Sequence, residues 1–429
     1  MKQKEALEIL KSGYNVFLTG CAGAGKTHLL NDYISFLRKK RVPVGITAST
    51  GIAATHIGGV TIHSFSGMGI LNELTSSDLN RILKKSYLAK SLKKVQVLII
   101  DEISMLSLDQ LDIADKIIRS FLKSEEPFGG MQVILCGDFF QLPPIKNNDN
   151  LYSRGTAFAY KSRAWRDLDL RVCYLAEQYR HKEKDLLFVL DSIRKNEANE
   201  DAVNLLRGRY KAGIKEGEEI TKLYTHNINV DSINNKELEK LPGKKKAFQM
   251  KKRGPQALTK TLGKNLLAPE KLELKIGAVV MFVKNNREKG YVNGTLGRVI
   301  RFEGDQPVVK TKEGKYVKVE QEKWNIEEEG EIKAEVRQIP LRLAWAITVH
   351  KSQGTTLDAA EIDLSRAFEP GMGYVALSRI RSLKGLRLMG LNKTALTANE
   401  EVVEMDKAFR KASKEDRKEF YRTFKKKKA

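Results

Sequence analysis

The sequence predicts an α/β protein built on two doubly wound parallel sheets, and three observations carry that prediction. Short apolar runs alternate with helical stretches from Val16 onward, the pattern of strands buried on both faces beneath crossover helices. A second alternation opens at Lys222 and resumes at Ala344. Between its halves, residues 273–340 change to short alternating strands with glycine turns, which predicts a small inserted β-barrel. The 429 residues, 41% of them hydrophobic, are enough for several domains with sizeable cores.

Residues 1–12 predict a short amphipathic helix. Val16-Phe17-Leu18-Thr19 is the first strand, and a Gly-rich turn leads to a helix over Lys26 to Lys39. Val44-Gly45-Ile46-Thr47 is the second, followed by a Ser/Thr/Gly turn and a helix over Ile52–His56. Residues 66–94 break the alternation: polar, lysine-bearing and helical, they read as a small insertion. Val97–Ile100 is the third strand, Ile103 to Leu122 is largely helical, and Val133–Cys136 is the fourth strand. Pro143 and Pro144 cannot donate ladder hydrogen bonds, so the stretch GDFFQLPP ends that strand and holds Gln141 at its tip.

In the second alternation, Lys222–Thr225 is a strand with a helix after it through Leu241, and Ala344–Thr348 and Leu386–Met389 are later strands. Within the insertion, Ile276–Phe282 is strand-like, Asn293-Gly294 is a hairpin signal, and Gly297, Gly304 and Gly314 mark turns. Lys244–Lys246 and Lys251–Arg253 are placed in a loop, and Lys425–Lys428 in a mobile basic tail. The expected domains are 1–180 with 66–94 inserted, 181–272 plus 341–395 with 273–340 inserted, and a basic helix or tail over 396–429.

A net charge of +23 and a pI near 9.6 bias the chain toward a polyanion, nucleic acid first. A lysine-rich surface serving solubility is the plainer alternative. No apolar run is long enough to cross a bilayer and MKQKEALEIL is not a signal peptide. A cytoplasmic protein with no membrane partner is expected. Cys21, Cys136 and Cys173 lack metal-ligand spacing and are expected to be buried free thiols.

Gly20-Cys21-Ala22-Gly23-Ala24-Gly25-Lys26-Thr27 fits G-x-x-x-x-G-K-[ST] between a strand and a helix. Backbone N–H groups along Gly23, Ala24 and Gly25 would wrap the phosphates of ATP. Lys26 would reach the β- and γ-phosphates and the Thr27 hydroxyl would hold Mg²⁺. Asp101-Glu102 ends the most apolar strand. Asp101 can reach the Mg²⁺ shell, and Glu102 can polarise an attacking water. The Gln141 amide can donate to a γ-phosphate oxygen and accept from water, although a structural turn glutamine fits the same position. Arg180 in AEQYRH and Arg379 in YVALSR are the candidates for transition-state charge, and crossing a domain cleft to the γ-phosphate would couple hydrolysis to its closure; each is as readily a surface ion-pair residue.

The ordered set GCAGAGKT, ASTGIAA, TIHSF, IIDEISM, GDFFQLPP, EQYR, AITVHKSQGTTLD and YVALSR resembles the superfamily 1 DNA helicases of the PIF type (petite integration frequency), relatives of the RecD helicases. The resemblance covers about residues 1–395. It implies two RecA-like motor domains with ATP between them and 5′→3′ translocation on single-stranded DNA. It also implies that Gln3 matches the family's adenine-reading glutamine, that 66–94 is a wedge subdomain and that 273–340 is an SH3-like insertion. A minimal core of bacterial, archaeal or phage type is the expectation, associated with the nucleoid and monomeric in solution.

The family places a DNA-contacting motif at Ser49-Thr50, where small hydroxyls at a helix start suit phosphates but serve equally as helix caps. His63 and Phe65 could meet the strand, though for Phe65 a buried aromatic is the better reading. Thr348, His350 and Lys351 mirror Ser49-Thr50 in the second domain, with Gly354 near the nucleotide cleft. Single-stranded DNA and strand junctions are the expected partners, and G-quadruplexes and RNA–DNA hybrids are further candidates. Two other functions fit less closely: a translocase that clears proteins with little unwinding, and a nucleotide-gated DNA-binding module without turnover.

Overall fold

The computed structural model describes residues 1–69, 71, 73–144, 158–181, 183–213, 221–224, 230–264, 266–286, 288–328, 331–349, 352 and 355–428. They fall into two units, 1–181 with 398–429, and 182–397.

In the first unit the elements run α1 (Gln3–Lys11), β1 (Val16–Gly20), α2 (Lys26–Lys39), β2 (Val44–Ala48), α3 (Gly51–His56), β3 (Val60–Thr61), α4 (Ile62–Ser66), α5 (Ser76–Leu83), α6 (Ser86–Leu92), β4 (Val97–Asp101), α7 (Leu108–Leu122), β5 (Gln132–Cys136), α8 (Arg163–Asp167) and β6 (Arg171–Leu175). The strands form one parallel sheet in the order β3-β2-β4-β5-β1-β6. Parallel pairing brings every strand's carboxyl end to the same edge, where ligands of such sheets bind. β1 and β4 are buried along their whole length. Ile9 and Leu10 of α1 and Leu29, Leu30 and Ile34 of α2 pack there against Val16, Leu18, Ile99 and Ile134. The segment expected to be an insertion contains α5 and α6, which bury Ile82, Leu88 and Leu92 and lie against α7.

The second unit continues with α9 (Lys184–Lys195), α10 (Glu200–Arg207), β7 (Thr221–Tyr224), α11 (Val230–Lys240), β8 (Lys246–Gln249), β9 (Lys251–Arg253), α12 (Gln256–Lys264), β10 (Lys271–Leu274), β11 (Val279–Phe282), β12 (Leu296–Glu303), β13 (Gln306–Thr311), β14 (Tyr316–Lys318), β15 (Glu322–Glu328), β16 (Glu331–Gln338), β17 (Leu341–Leu343), β18 (Ala346–Thr348), β19 (Ala360–Leu364), α13 (Met372–Leu377) and β20 (Leu386–Leu391). Its parallel sheet has the order β18-β7-β19-β20. Three readings of this region change. The basic stretch 244–253 is not a loop: β8 pairs antiparallel with β10, and β9 with β16. The β-rich part therefore starts at Lys246 rather than 273. Its largest sheet has the order β14-β13-β12-β11-β17 among the described residues, and Val280, Phe282, Val299 and Leu341 of that sheet share one core with Phe248 of β8 and Leu272 of β10. Asn293-Gly294 forms a tight turn closed by Thr295 N–H on the Val292 carbonyl at 3.0 Å. That turn lies within a longer connection between β11 and β12 rather than joining them directly.

The last helix, α14 (Glu400–Lys428), belongs to the first unit, which corrects the expectation of a separate basic tail over 396–429. Val402, Phe409, Ser413 and Phe420 are buried on it, spaced as one helical face. β6 is an edge strand, and such edges leave backbone donors open. Here Asp416 Oδ2 accepts from Val172 N–H at 2.7 Å and Ser413 Oγ accepts from Tyr174 N–H at 3.0 Å. Arg171 adds two hydrogen bonds to Glu419, at 2.6 and 2.9 Å, and one to Asp416 at 2.9 Å. The Phe409 ring joins a cluster with Phe17, Phe139, Tyr160 and Trp165, with centroids 4.9–6.2 Å away. Near the start of the chain, Arg417 Nε donates to Glu5 at 3.0 Å. Among the described residues, no helix is long and apolar enough to cross a membrane.

Candidate nucleotide site and nucleic-acid edge

The turn after β1 is tight because three of its glycines have positive φ: Gly20 at 145°, Gly23 at 88° and Gly25 at 84°. All three are also crowded, Gly20 by the Leu175 carbonyl oxygen, 2.7 Å from where its Cβ would lie. A Cβ on Gly23 would lie 2.6 Å from Cβ of Arg180, and one on Gly25 would lie 2.1 Å from Nε2 of Gln3. A side chain at either position would therefore displace its neighbour as well as strain the backbone. Gln3 donates to the carbonyls of Ala24 and Gly25, both at 3.3 Å. Lys26 Nζ donates to the carbonyls of Gly20 and Cys21 at 2.8 and 3.2 Å. Thr27 is exposed at the start of α2.

Asp101 ends β4, beside β5 and one strand removed from β1. It is buried, and burial raises its pKa; a hydrogen bond from the Cys136 thiol, the Glu102 N–H and the charge of Lys26 act in the opposite direction. The Glu102 N–H donates to Asp101 Oδ1 at 2.9 Å. Glu102 itself is left-handed, with φ 52° and ψ 45°. For a residue with a long side chain that is an uncommon, strained conformation, and such strain clusters at functional positions. Gln141 is buried in the turn after β5, its N–H on the Asp138 carbonyl at 2.9 Å.

The segment after β6 folds back over the Gly20–Thr27 turn. The Tyr179 N–H donates to the Gly23 carbonyl at 3.0 Å and the Gln178 amide to the Ala22 carbonyl at 3.1 Å. Arg180 is in the same unit as Lys26, and these bonds return the chain to the sheet's carboxyl edge. Gln178 and Tyr179 were missed in the sequence, although they sit inside the motif quoted for Arg180. Cys136 was missed as a partner of Asp101; its identity as one more apolar strand residue hid it. Of the three free cysteines, Cys136 and Cys173 are buried as expected, but Cys21, in the turn, is only partly so. Arg379 lies in the second unit and is almost fully buried, which removes the surface ion-pair reading. Its Nε donates to the Val375 carbonyl at 2.9 Å and its Nη2 to Ser378 Oγ at 2.8 Å.

The residues expected to touch nucleic acid divide. Ser49 is buried and its hydroxyl donates to the Glu102 carbonyl at 2.7 Å. The Ser49 hydroxyl thus braces the end of β2 against the residue that follows β4. Thr50 caps α3, accepting from Ala53 N–H at 3.2 Å, so the capping alternative holds for its side chain. The Phe65 ring lies on Gly45, where a Cβ would come within 2.7 Å of it, which is the packing reading. His63 is partly buried, and burial lowers its pKa. Thr348 is buried in the second unit. His350, Lys351 and Gly354 lie outside the described residues.

His56, in the last turn of α3, is pushed by burial down from 6.5 to about 4. Between these values the unfolded imidazole binds a proton that the folded one refuses, so stability is full above the unfolded pKa and falls as pH drops toward 4. The expected loss is on the order of 2 kcal/mol. Urea midpoints at about pH 7.5 and about pH 4.5 measure it. His56→Gln should flatten that part of the pH dependence, and an unchanged slope in the variant would discard the assignment.

Among the described residues no cluster of three or more His, Cys, Asp and Glu side chains could cage a metal. The exposed Thr27 hydroxyl and the buried Asp101 carboxyl suit instead a divalent cation completed by nucleotide phosphates and water, the usual arrangement for Mg²⁺.

Residues 2–201 match the family described as PIF1-like helicase, and residues 257–302 match DNA helicase Pif1, 2B domain. The chain is 44% identical over 456 residues to ATP-dependent DNA helicase Pif1 of Psychrobacter sp., covering 92% of this chain and 69% of that protein. Among solved structures it is similar to Bacteroides sp. Pif1 in complex with ADP-AlF4, at 30% identity and a TM-score of 0.81, covering 95% of this chain and 96% of that one. It is also similar to Bacteroides Pif1 bound to ssDNA, at 31% identity and a TM-score of 0.66, with the same coverage.

Proposed function

Since the chain belongs to the PIF1-like helicase family, we propose that it is an ATP-dependent DNA helicase that hydrolyses ATP at the carboxyl edge of the first unit's sheet and moves 5′→3′ along single-stranded DNA. The observation that supports this most is the convergence at that edge of the Gly20–Thr27 turn, Asp101-Glu102 and Gln141, delivered by the neighbouring strands β1, β4 and β5.

In this reading Lys26 exchanges its two carbonyl acceptors for phosphate oxygens, and backbone N–H groups of Gly23, Ala24 and Gly25 hold the β-phosphate. Gln3, fixed on the turn, reads the adenine. Thr27 and Asp101 would hold Mg²⁺, which supplies charge neutralisation between the phosphates when bound. Glu102 takes the proton of the attacking water, and Gln141 orients that water against the γ-phosphate. Arg180, beside Gly23, and Arg379, from the second unit, supply positive charge to the transition state. Thr50, His63, Thr348, His350 and Lys351 hold the strand, mostly through its backbone, so little sequence preference is expected. Ser49, braced on Glu102, is a positioning residue that links the α3 turn to the general base. Forks, G-quadruplexes and RNA–DNA hybrids are the structured substrates proposed, in replication, repair or recombination.

Strand displacement with ATP and Mg²⁺ tests the function directly, comparing a duplex with only a 5′ tail against one with only a 3′ tail. Opening of the 5′-tailed duplex alone is expected. Preference for the 3′ tail would reverse the motor, and failure of both despite DNA-stimulated hydrolysis would leave a translocase. Gln141→Ala should keep nucleotide affinity and lose stimulation of hydrolysis by DNA; undiminished stimulation would return Gln141 to a structural turn residue.

A further inference from the structure

In the second unit, away from the residues above, a cleft of about 340 Å³ is lined by Asp231, Asn234, Asn235, Lys271, Glu273 and Arg342 with apolar neighbours. Arg342 lies on the edge strand β17, opposite Met281 of β11. It is only 8% exposed, and its Nε is buried with no hydrogen-bond partner among the described residues. Lys271, Glu273 and Asn234 are engaged with other groups. Lys271 pairs with Glu273 at 2.6 Å. Asn234 donates to the Ala346 carbonyl at 2.8 Å and accepts from its N–H at 2.9 Å. Asp231 is exposed and acts on Arg342 through its charge alone; burial lowers the guanidinium's pKa against that attraction.

A desolvated, unpaired guanidinium is costly unless something pairs with it. Its planar fork matches the oxygens of a phosphate or a carboxylate, and a net charge of +23 draws polyanions, of which phosphate chains are the commonest. The cleft has room for a phosphate and part of what carries it. We propose that it is a phosphate-binding site, in which Arg342 takes two oxygens of the oxyanion and the exposed Asn235 amide supplies a further donor at the rim. The phosphate is either a free ion or a link in a nucleic-acid strand, and the second source rests on the helicase reading.

Two measurements on the full chain, wild type and Arg342→Gln, separate the sources. In the first, affinity for a fluorescent oligo(dT) is followed against salt. A strand phosphate at Arg342 predicts about tenfold weaker binding in the variant and a salt slope shallower by about 0.7. In the second, thermal stabilisation by inorganic phosphate is compared with chloride at equal ionic strength. A free-phosphate site predicts stabilisation in wild type that the variant loses. Wild-type behaviour of the variant in both measurements would overturn the proposal. If Arg342→Gln does not fold, Asn235→Asp, which sets a carboxylate at the exposed rim, replaces it in the same measurements with the same criteria. Wild type failing to bind oligo(dT) would count against the helicase reading alone, and the phosphate measurement would still judge the cleft.

Discussion

Glu102→Gln is expected to bind ATP with near wild-type affinity and to hydrolyse it about 10²–10⁴-fold more slowly, the usual contribution of a positioned general base. The substitution keeps the size and the backbone N–H that donates to Asp101, so only the basicity of the side chain is lost. Lys26→Ala is expected to lose about 10²–10³-fold or more in turnover and to weaken nucleotide binding as well, because the ammonium acts on ground-state and transition-state phosphates alike. The two variants should thus differ in kind: one unchanged in nucleotide affinity, the other not. Single-turnover hydrolysis and equilibrium binding of a fluorescent nucleotide read both. Normal turnover in Glu102→Gln would remove the general-base assignment, and the base would have to be sought elsewhere on the same edge.

Phe409→Ala is expected to destabilise the first unit by about 3–5 kcal/mol, the cost of removing a buried aromatic ring. Phe409 is 8% exposed and touches the rings of Phe17 on β1 and Phe139 in the turn that carries Gln141. A chain ending at Thr397 should fare worse. It would open the cluster, leave Arg171 without Asp416 and Glu419, and expose the Val172 and Tyr174 N–H groups of the edge strand. Such an edge pairs readily with other chains. Urea denaturation of Phe409→Ala and the solubility of the shortened chain test this; a shortened chain that stays soluble, with wild-type nucleotide affinity, would show α14 to be dispensable.

The first sheet could be read from the sequence because parallel strands buried on both faces are unbroken apolar runs, and Val16–Leu18 and Val97–Ile100 have no competing interpretation. The Gly20–Thr27 turn was legible as a tight turn for a related reason: its three glycines hold positive φ, a local demand of the backbone. β8 and β9 were not, because a run of lysines reads as solvated loop. Phe248 and Met250 alternate beneath those lysines and are both buried, a period of two that the charge obscured. The docking of α14 was hidden in the same way, since its few apolar residues lie one or more turns apart among basic ones. The engagement of Ser49 with Glu102 depends on β2 and β4 lying side by side, a tertiary fact that no local pattern states.

The left-handed backbone of Glu102 bears on how this protein can be improved or ruined. Asparagine accepts that conformation more readily than glutamate, so Glu102→Asn should relieve on the order of 1 kcal/mol of strain. It would also remove the proposed base. The most heat-resistant single variant at this position is therefore expected to be an inert one. A library ranked by melting temperature alone would enrich it, and a library ranked by turnover would discard it, so robustness and work pull in opposite directions at one residue.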